Sequence, residues 1–176
     1  HYDFGKKKYE QNDLIQADVL FGNAVIYAQK AFDINSFNIN AIKTLAFFKS
    51  EFAIFKLIKY EHYPPGAKSK YFKENYVAVD LLKKALYDNP QSIEVCTILR
   101  SIMFKTYKAY KNFNQEKQCL SIYKNVVEMC NSLLIANPEN TLISDLLKEQ
   151  KSFLDAELEA LLVKSYEHYD FGKKKY

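Results

Sequence analysis

The chain has 176 residues, 48% apolar and 26% charged, a balance too apolar for a disordered segment and ample for one domain or several stacked units. Its formal net charge of +4 falls to +2 without the lysine-rich segment 168–176, and Arg100 is the only arginine, which argues against a sequence-specific nucleic-acid reader built on arginine forks. No run of apolar residues is long enough to span a membrane and no signal peptide is visible, which with unpaired cysteines favours a cytoplasmic over an exported protein.

Only four glycines and four prolines interrupt the chain, so its segments are long and helices are expected rather than a many-turned sheet. The first dozen residues read as the tail of a preceding helix. A helix is expected at about 14–34, carrying Ala17, Phe21 and Ala24, and a second at 38–62. In the second, Phe47, Phe48, Phe52 and Phe55 cover more than one narrow stripe, as in a helix that is central in a stack or keeps a face for a partner. Helices at 68–88 and 92–112 follow. In the latter, Tyr107, Tyr110 and Phe113 alternate with Lys105, Lys108 and Lys111, a spacing that fits either a peptide groove or a plain amphipathic helix.

The segment 115–136 places Cys119, Tyr123, Val126, Cys130 and Leu133 on one stripe, and 141–170 does the same with Ile143, Leu147, Leu154, Leu158 and Leu161. Cys96, Cys119 and Cys130 have no CxxC spacing and read as small buried hydrophobes rather than as disulfide or zinc ligands. Asn35, Asn89 and Asn137 close three apolar-periodic runs, where a left-handed asparagine would cap a helix. Pro90 and Pro138 cannot continue their helices, and Ser92 and Asn140 or Thr141 stand where N-caps belong.

Two repeats overlie this plan. His1 to Tyr9, HYDFGKKKY, recurs unchanged as His168 to Tyr176, consistent with one 167-residue period of a tandem array or with overlap in how the chain was built. A weaker motif, YEHYxxGxK, starts at both Tyr60 and Tyr166 and suggests repeated helix–turn–helix units.

These residues resemble the tetratricopeptide repeats. Phe4-Gly5 is similar to the family's Leu-Gly pair, Asn12-Asp13 to its turn, and Ala17, Phe21 and Ala24 to its second-helix signature. Partial matches run through Tyr110, Asn114, Cys119, Tyr123 and Val126, and through Ala78, Ala85 and Pro90. Helices of twenty residues, turn signals 54 and 48 apart and the lack of Trp depart from the family pattern. The alternative turn at Asp3-Phe4-Gly5, from aligning the YEHY motifs, is set aside because Asp13 caps well. The resemblance implies an all-α fold of stacked antiparallel helix pairs, a tetratricopeptide-like α-solenoid with unusually long helices. Residues 1–176 would form a single helical-repeat domain of approximate units 1–36, 37–90 and 91–138, with 139–176 a partial unit.

The sequence offers no pattern for chemistry. His1 and His168 are one motif position and His62 its weaker copy, without a partner at metal-ligand spacing. No P-loop, GxGxxG or GxSxG is present, and Asp155, Glu157 and Glu159 read as a solvated helix face. Lys6, Lys7 and Lys8 and their copy Lys173, Lys174 and Lys175 fit either lysines that complement a helix-end dipole or a dock for an acidic peptide, a phospholipid head group or nucleic acid. We therefore expect no enzyme, no cofactor and no metal. The expected function is a non-catalytic protein–protein interaction or assembly scaffold, with Tyr107, Tyr110, Lys108, Lys111, Phe52 and Phe55 as candidate partner-binding residues. Its partner would be a peptide, a helix or a neighbouring repeat, with end-to-end self-association through the uncapped aromatic termini. The alternatives are a helical-repeat module binding nucleic acid without sequence specificity, its lysines tracking the backbone and its tyrosines stacking on bases, and a tandem-repeat surface protein.

Overall fold

The structure, a computed structural model, describes residues 1–59, 65–111 and 116–173, apart from the side chains of 65–68, 116–118 and 167–173. His62, Phe113 and Asn114, which the sequence singles out, lie outside these residues. The described residues form seven helices and no strand: α1 (Tyr2–Glu10), α2 (Leu14–Ile34), α3 (Ile39–Lys59), α4 (Pro65–Asp88), α5 (Ile93–Lys111), α6 (Glu116–Ala136) and α7 (Thr141–Lys173). The six expected helices are present over their described residues, the expected bounds at 62, 112 and 115 lie outside those residues, and the N-terminal residues form a short helix of their own.

Three of the turns share one design. Asn35 and Asn89 each turn a side-chain Oδ1 back to accept the N–H two residues on, from Phe37 at 3.1 Å and Gln91 at 3.3 Å. Three residues after each turn asparagine, Asn38, Ser92 and Asn140 donate their backbone N–H to Asn35, Asn89 and Asn137 and cap the next helix. The caps accept from Ala41, Val95 and Ile143. The left-handed conformation expected of Asn35, Asn89 and Asn137 is not adopted: Asn35 is extended at φ −150°, and Asn12 is the one non-glycine with positive φ among the described residues. At Asn35 and Asn89 the side chain closes the turn by hydrogen bonding, so no left-handed residue is needed there.

The chain divides into two compact units, His1–Ile122 and Tyr123–Tyr176, with the boundary inside α6 rather than at a turn. In the first unit, successive helices run antiparallel. Gly5 faces Phe21 while His1 faces Tyr27, and Lys59 reaches Leu14 and Asp18 while Phe52 lies near Gly22. Lys49 pairs with Glu74 at 2.9 Å while Lys56 lies over the ring of Tyr71, and Asn75 meets Thr106 while Phe72 meets Tyr110. Helix α3 packs on α2, α4 and α5, which explains its apolar residues on most sides. Leu45, Ala46, Ala53, Phe55 and Leu57 are buried there, and each large apolar side chain so buried contributes roughly 1.5–3 kcal/mol.

A polar ladder crosses this apolar seam. Ser50 on α3 donates to Asn75 Oδ1 on α4 at 2.7 Å, and Asn75 Nδ2 donates to Thr106 Oγ1 on α5 at 2.6 Å. All three are fully buried, so their bonds fix the register of three helices in one plane. Cys96 and Cys119 are buried thiols in the first unit, and Cys130 is another in the second.

In the second unit, Tyr123 stacks on Phe153 with centroids 4.0 Å apart, and Ile143 and Leu146 are buried. The stripe expected along α7 is covered only in its first half. Leu147 and Leu154 are half-buried, whereas Leu158 and Leu161 are exposed. Among the described residues, no helix is long and apolar enough to cross a membrane.

Candidate functional site

The most distinctive surface is a seat on α2 and α3 that α1 occupies over part of its length. Its residues follow from the α1–α2 turn: Asn12 takes φ 60°, and Asp13 Oδ1 accepts the Gln16 N–H at 3.3 Å to start α2. The turn thus falls at Gln11-Asn12, next to Asn12-Asp13 as the tetratricopeptide comparison places it and not at Asp3-Phe4-Gly5. It folds α1 back over Ala17 and Phe21.

Gly5 is the point of closest approach. A Cβ there would stand 3.0 Å from Phe21 Cδ1 and 3.2 Å from Leu20 Cβ, so a side chain would press Phe21 and Leu20 to give way by a few tenths of an ångström. Tyr2 stacks on Phe48 at 5.1 Å, meets Phe47 edge-on at 5.2 Å, and donates its hydroxyl to Glu51 Oε2 at 2.9 Å. Burial first, and then the Glu51 charge and hydrogen bond, push the Tyr2 phenol well above the usual tyrosine range. Glu51 also pairs with Lys105 of α5. Tyr9 meets Phe55 edge-on at 5.5 Å, and Phe55 meets Phe21 at 4.9 Å. The seat is therefore aromatic, with one charged anchor.

The seat does not end where α1 begins. Beside the first turn of α1 lies an open groove of about 550 Å³, lined by Tyr2 and Asp3 of α1, by Ala24, Tyr27, Ala28 and Ala31 of α2 and by Thr44 and Phe48 of α3. His1 closes its near end by stacking on Tyr27 at 5.3 Å with the rings 3° from parallel, so this histidine is a packing residue. Alanines at 24, 28 and 31 continue the α2 face that carries Ala17 and Phe21. A floor of methyl groups beside the rings of Tyr27 and Phe48 accepts apolar side chains, with Asp3 and Thr44 as polar groups on its lining.

The six residues singled out by sequence do not form one site. Tyr110 is buried, edge-on to Phe72 at 4.4 Å and donating to the Phe72 carbonyl at 3.3 Å, and burial raises its pKa. Phe55 is buried beneath α1. Both belong to the core, because α5 and α3 each bury the face on which these residues lie. Phe52 is half-buried against the cluster of Ala17, Phe21 and Phe55 and lines a separate cavity of about 300 Å³ with Lys56 and Tyr71. Tyr107 accepts a bond from Lys111 Nζ at 2.8 Å, and Lys108 lies over the exposed ring of Phe104 at 4.5 Å, so these stay on the α5 surface.

Tyr2, Gly5, Ala28 and Ala31 were not among the residues singled out for binding. Tyr2 and Gly5 carried a signal nonetheless, since both lie in the nine residues that recur without change. Among the described residues, no three His, Cys, Asp or Glu side chains lie together in a way that could hold a metal ion. No protein-family model, curated protein or solved structure matches the chain.

Proposed function

We propose that the chain is a non-catalytic scaffold for protein–protein contact, built of stacked helix pairs in the manner of the tetratricopeptide repeats, and that it receives a helix in the groove on α2 and α3. The observation that carries this reading is the continuity of the seat. One helix of the chain already lies in it, held by close approach at Gly5 and by aromatic contacts, and an open groove on α2 and α3 adjoins that contact. Affinity in such a groove comes from a few apolar anchors of an amphipathic helix, placed at i, i+3, i+4 and i+7.

Selection of random amphipathic helical peptides on the full chain tests the reading. Binders should be recovered, and Ala31→Trp, which fills the groove at an exposed position, should abolish their binding. Binders indifferent to that substitution overturn the site. A titration with single-stranded RNA at low salt should give no binding. Saturable RNA binding that weakens steeply as salt rises would instead make the chain a nucleic-acid module.

A further inference from the structure

We infer that the cavity of about 300 Å³ between α2, α3 and α4 is a binding site for a small aromatic phosphate monoester, its phosphate held by Lys56 and Lys70 and its ring by Phe52 and Tyr71. The site lies apart from the groove beside α1 and does not depend on the scaffold reading.

The helices set the order of groups along the cavity. Lys49, Phe52, Ala53 and Lys56 fall on one face of α3 by steps of three and four residues. Helix α4 runs the other way, bringing Glu74 to Lys49 at 2.9 Å and the ring of Tyr71 to Lys56, whose Nζ lies 6.0 Å from its centre. Lys70, one residue before Tyr71, therefore stands at the Lys56 end. From α2, Val25 joins the lining, and Gly22 three residues before it leaves room for Phe52, whose Cζ would stand 3.7 Å from an added Cβ. The cavity thus has an ammonium end, an apolar middle and a mixed end where Lys49 meets Glu74.

Charge decides what such a cavity takes. Its lining holds three lysines against one carboxylate. Asp18 of α2 also pairs with Lys56, but it is shared with Lys59 at 3.6 Å, so counted together four lysines face two carboxylates. A phosphate monoester, at about −1.5 to −2 near neutral pH, neutralises that surplus. The side chains of Lys49 and Lys56 are only 16% and 12% exposed, so water screens them less than it screens a surface lysine. Lys70 is exposed and meets an incoming anion first.

Inorganic phosphate alone would leave the apolar middle uncovered. Lys56 lies over Phe52 at 5.2 Å as well as over Tyr71, which puts its charge where a phosphate joins a ring seated between these side chains. Ala53 and Val25 supply methyl groups to the same ring, and the Lys49–Glu74 pair offers a donor and an acceptor to a polar substituent at its far end. The volume is at the low end for ligand cavities, so one ring system with its phosphate fills it.

Titration of the full chain with phenyl phosphate, followed through the methyl resonances of Val25 and Ala53, tests the inference. These resonances should move saturably, with a Kd roughly tenfold or more below that of inorganic phosphate. The methyl groups of Leu99 and Ile102 on α5 should stay in place. Lys70→Glu should weaken binding roughly tenfold, whereas Lys73→Glu, the same charge change at an exposed residue of α4 off the cavity lining, should weaken it by no more than about twofold. Both lysines are exposed, so the fold tolerates both changes. Adenylate and a phosphotyrosyl peptide then tell a free nucleotide from a protein-borne ring as the source, the tighter binder naming it. No saturable movement at Val25 and Ala53, inorganic phosphate binding as tightly as phenyl phosphate, or equal weakening by the two glutamates overturns the inference and leaves the groove beside α1 untouched.

Discussion

Two seams in the first unit are built from the same helical materials and are held in different ways. Where α3, α4 and α5 meet, the contact is fully buried, and the ladder of Ser50, Asn75 and Thr106 demands one register. Where α1 meets α2 and α3, the contact is aromatic and half-exposed, with a hydrogen bond from Tyr2 to Glu51 of α3 at its edge. A seam whose polar groups must stay paired cannot open without leaving buried donors unsatisfied, whereas rings on rings can part and re-form with another helix. The difference separates a permanent frame from an exchangeable seat.

Breaking the frame should have the largest effect. Asn75→Leu strands the Ser50 and Thr106 hydroxyls in the interior and should cost about 3 kcal/mol of global stability by urea denaturation. Adding Ser50→Ala and Thr106→Val should recover most of that loss, since replacing every partner leaves nothing unpaired. A single variant as stable as the parent would mean that the ladder does not set the seam.

Breaking the seat should cost less and stay local. Gly5→Val forces carbon into the 3.0 Å approach to Phe21 and should cost about 1–3 kcal/mol, read as loss of α1 amide protection while α4 and α5 keep theirs. Global unfolding with α1 would merge the two seams into one.

The smallest effect sharpens the comparison through pH. Tyr2 has its pKa raised in the folded state, so the docked form favours the protonated phenol. Its contribution is fully present below the ordinary tyrosine pKa of 10.0 and is lost as pH rises above it. Tyr2→Phe should lose about 1 kcal/mol at neutral pH and show a weaker alkaline loss of α1 docking than the parent, measured by nuclear Overhauser contacts between the Tyr9 and Phe55 rings.

Much of the frame could be read along the chain and little of the seat. Helix spans, the Asp13, Ser92 and Asn140 caps and the buried cysteines follow from spacing within single segments, which is where periodicity and capping act. The ladder needs three segments at once. Its trace was nonetheless present, for Asn75 precedes Ala78, Val79 and Leu82 on one apolar stripe, a polar residue where burial is due. Tyr107 and Tyr110 differ in burial although they are three residues apart, because the edge of the α5–α4 contact runs between them. The groove was legible only in Phe48, since Tyr27, Ala31 and Thr44 are ordinary in sequence and acquire meaning through how α2 and α3 lie against each other.

Native-state hydrogen exchange tests the division between frame and seat most directly. Amides of α1 should open with protection about 100-fold or more below those of Ile102, Met103 and Thr106 in α5, through a local event that leaves α3, α4 and α5 closed. Equal protection in α1 and α5, lost together in one global opening, would contradict an exchangeable seat.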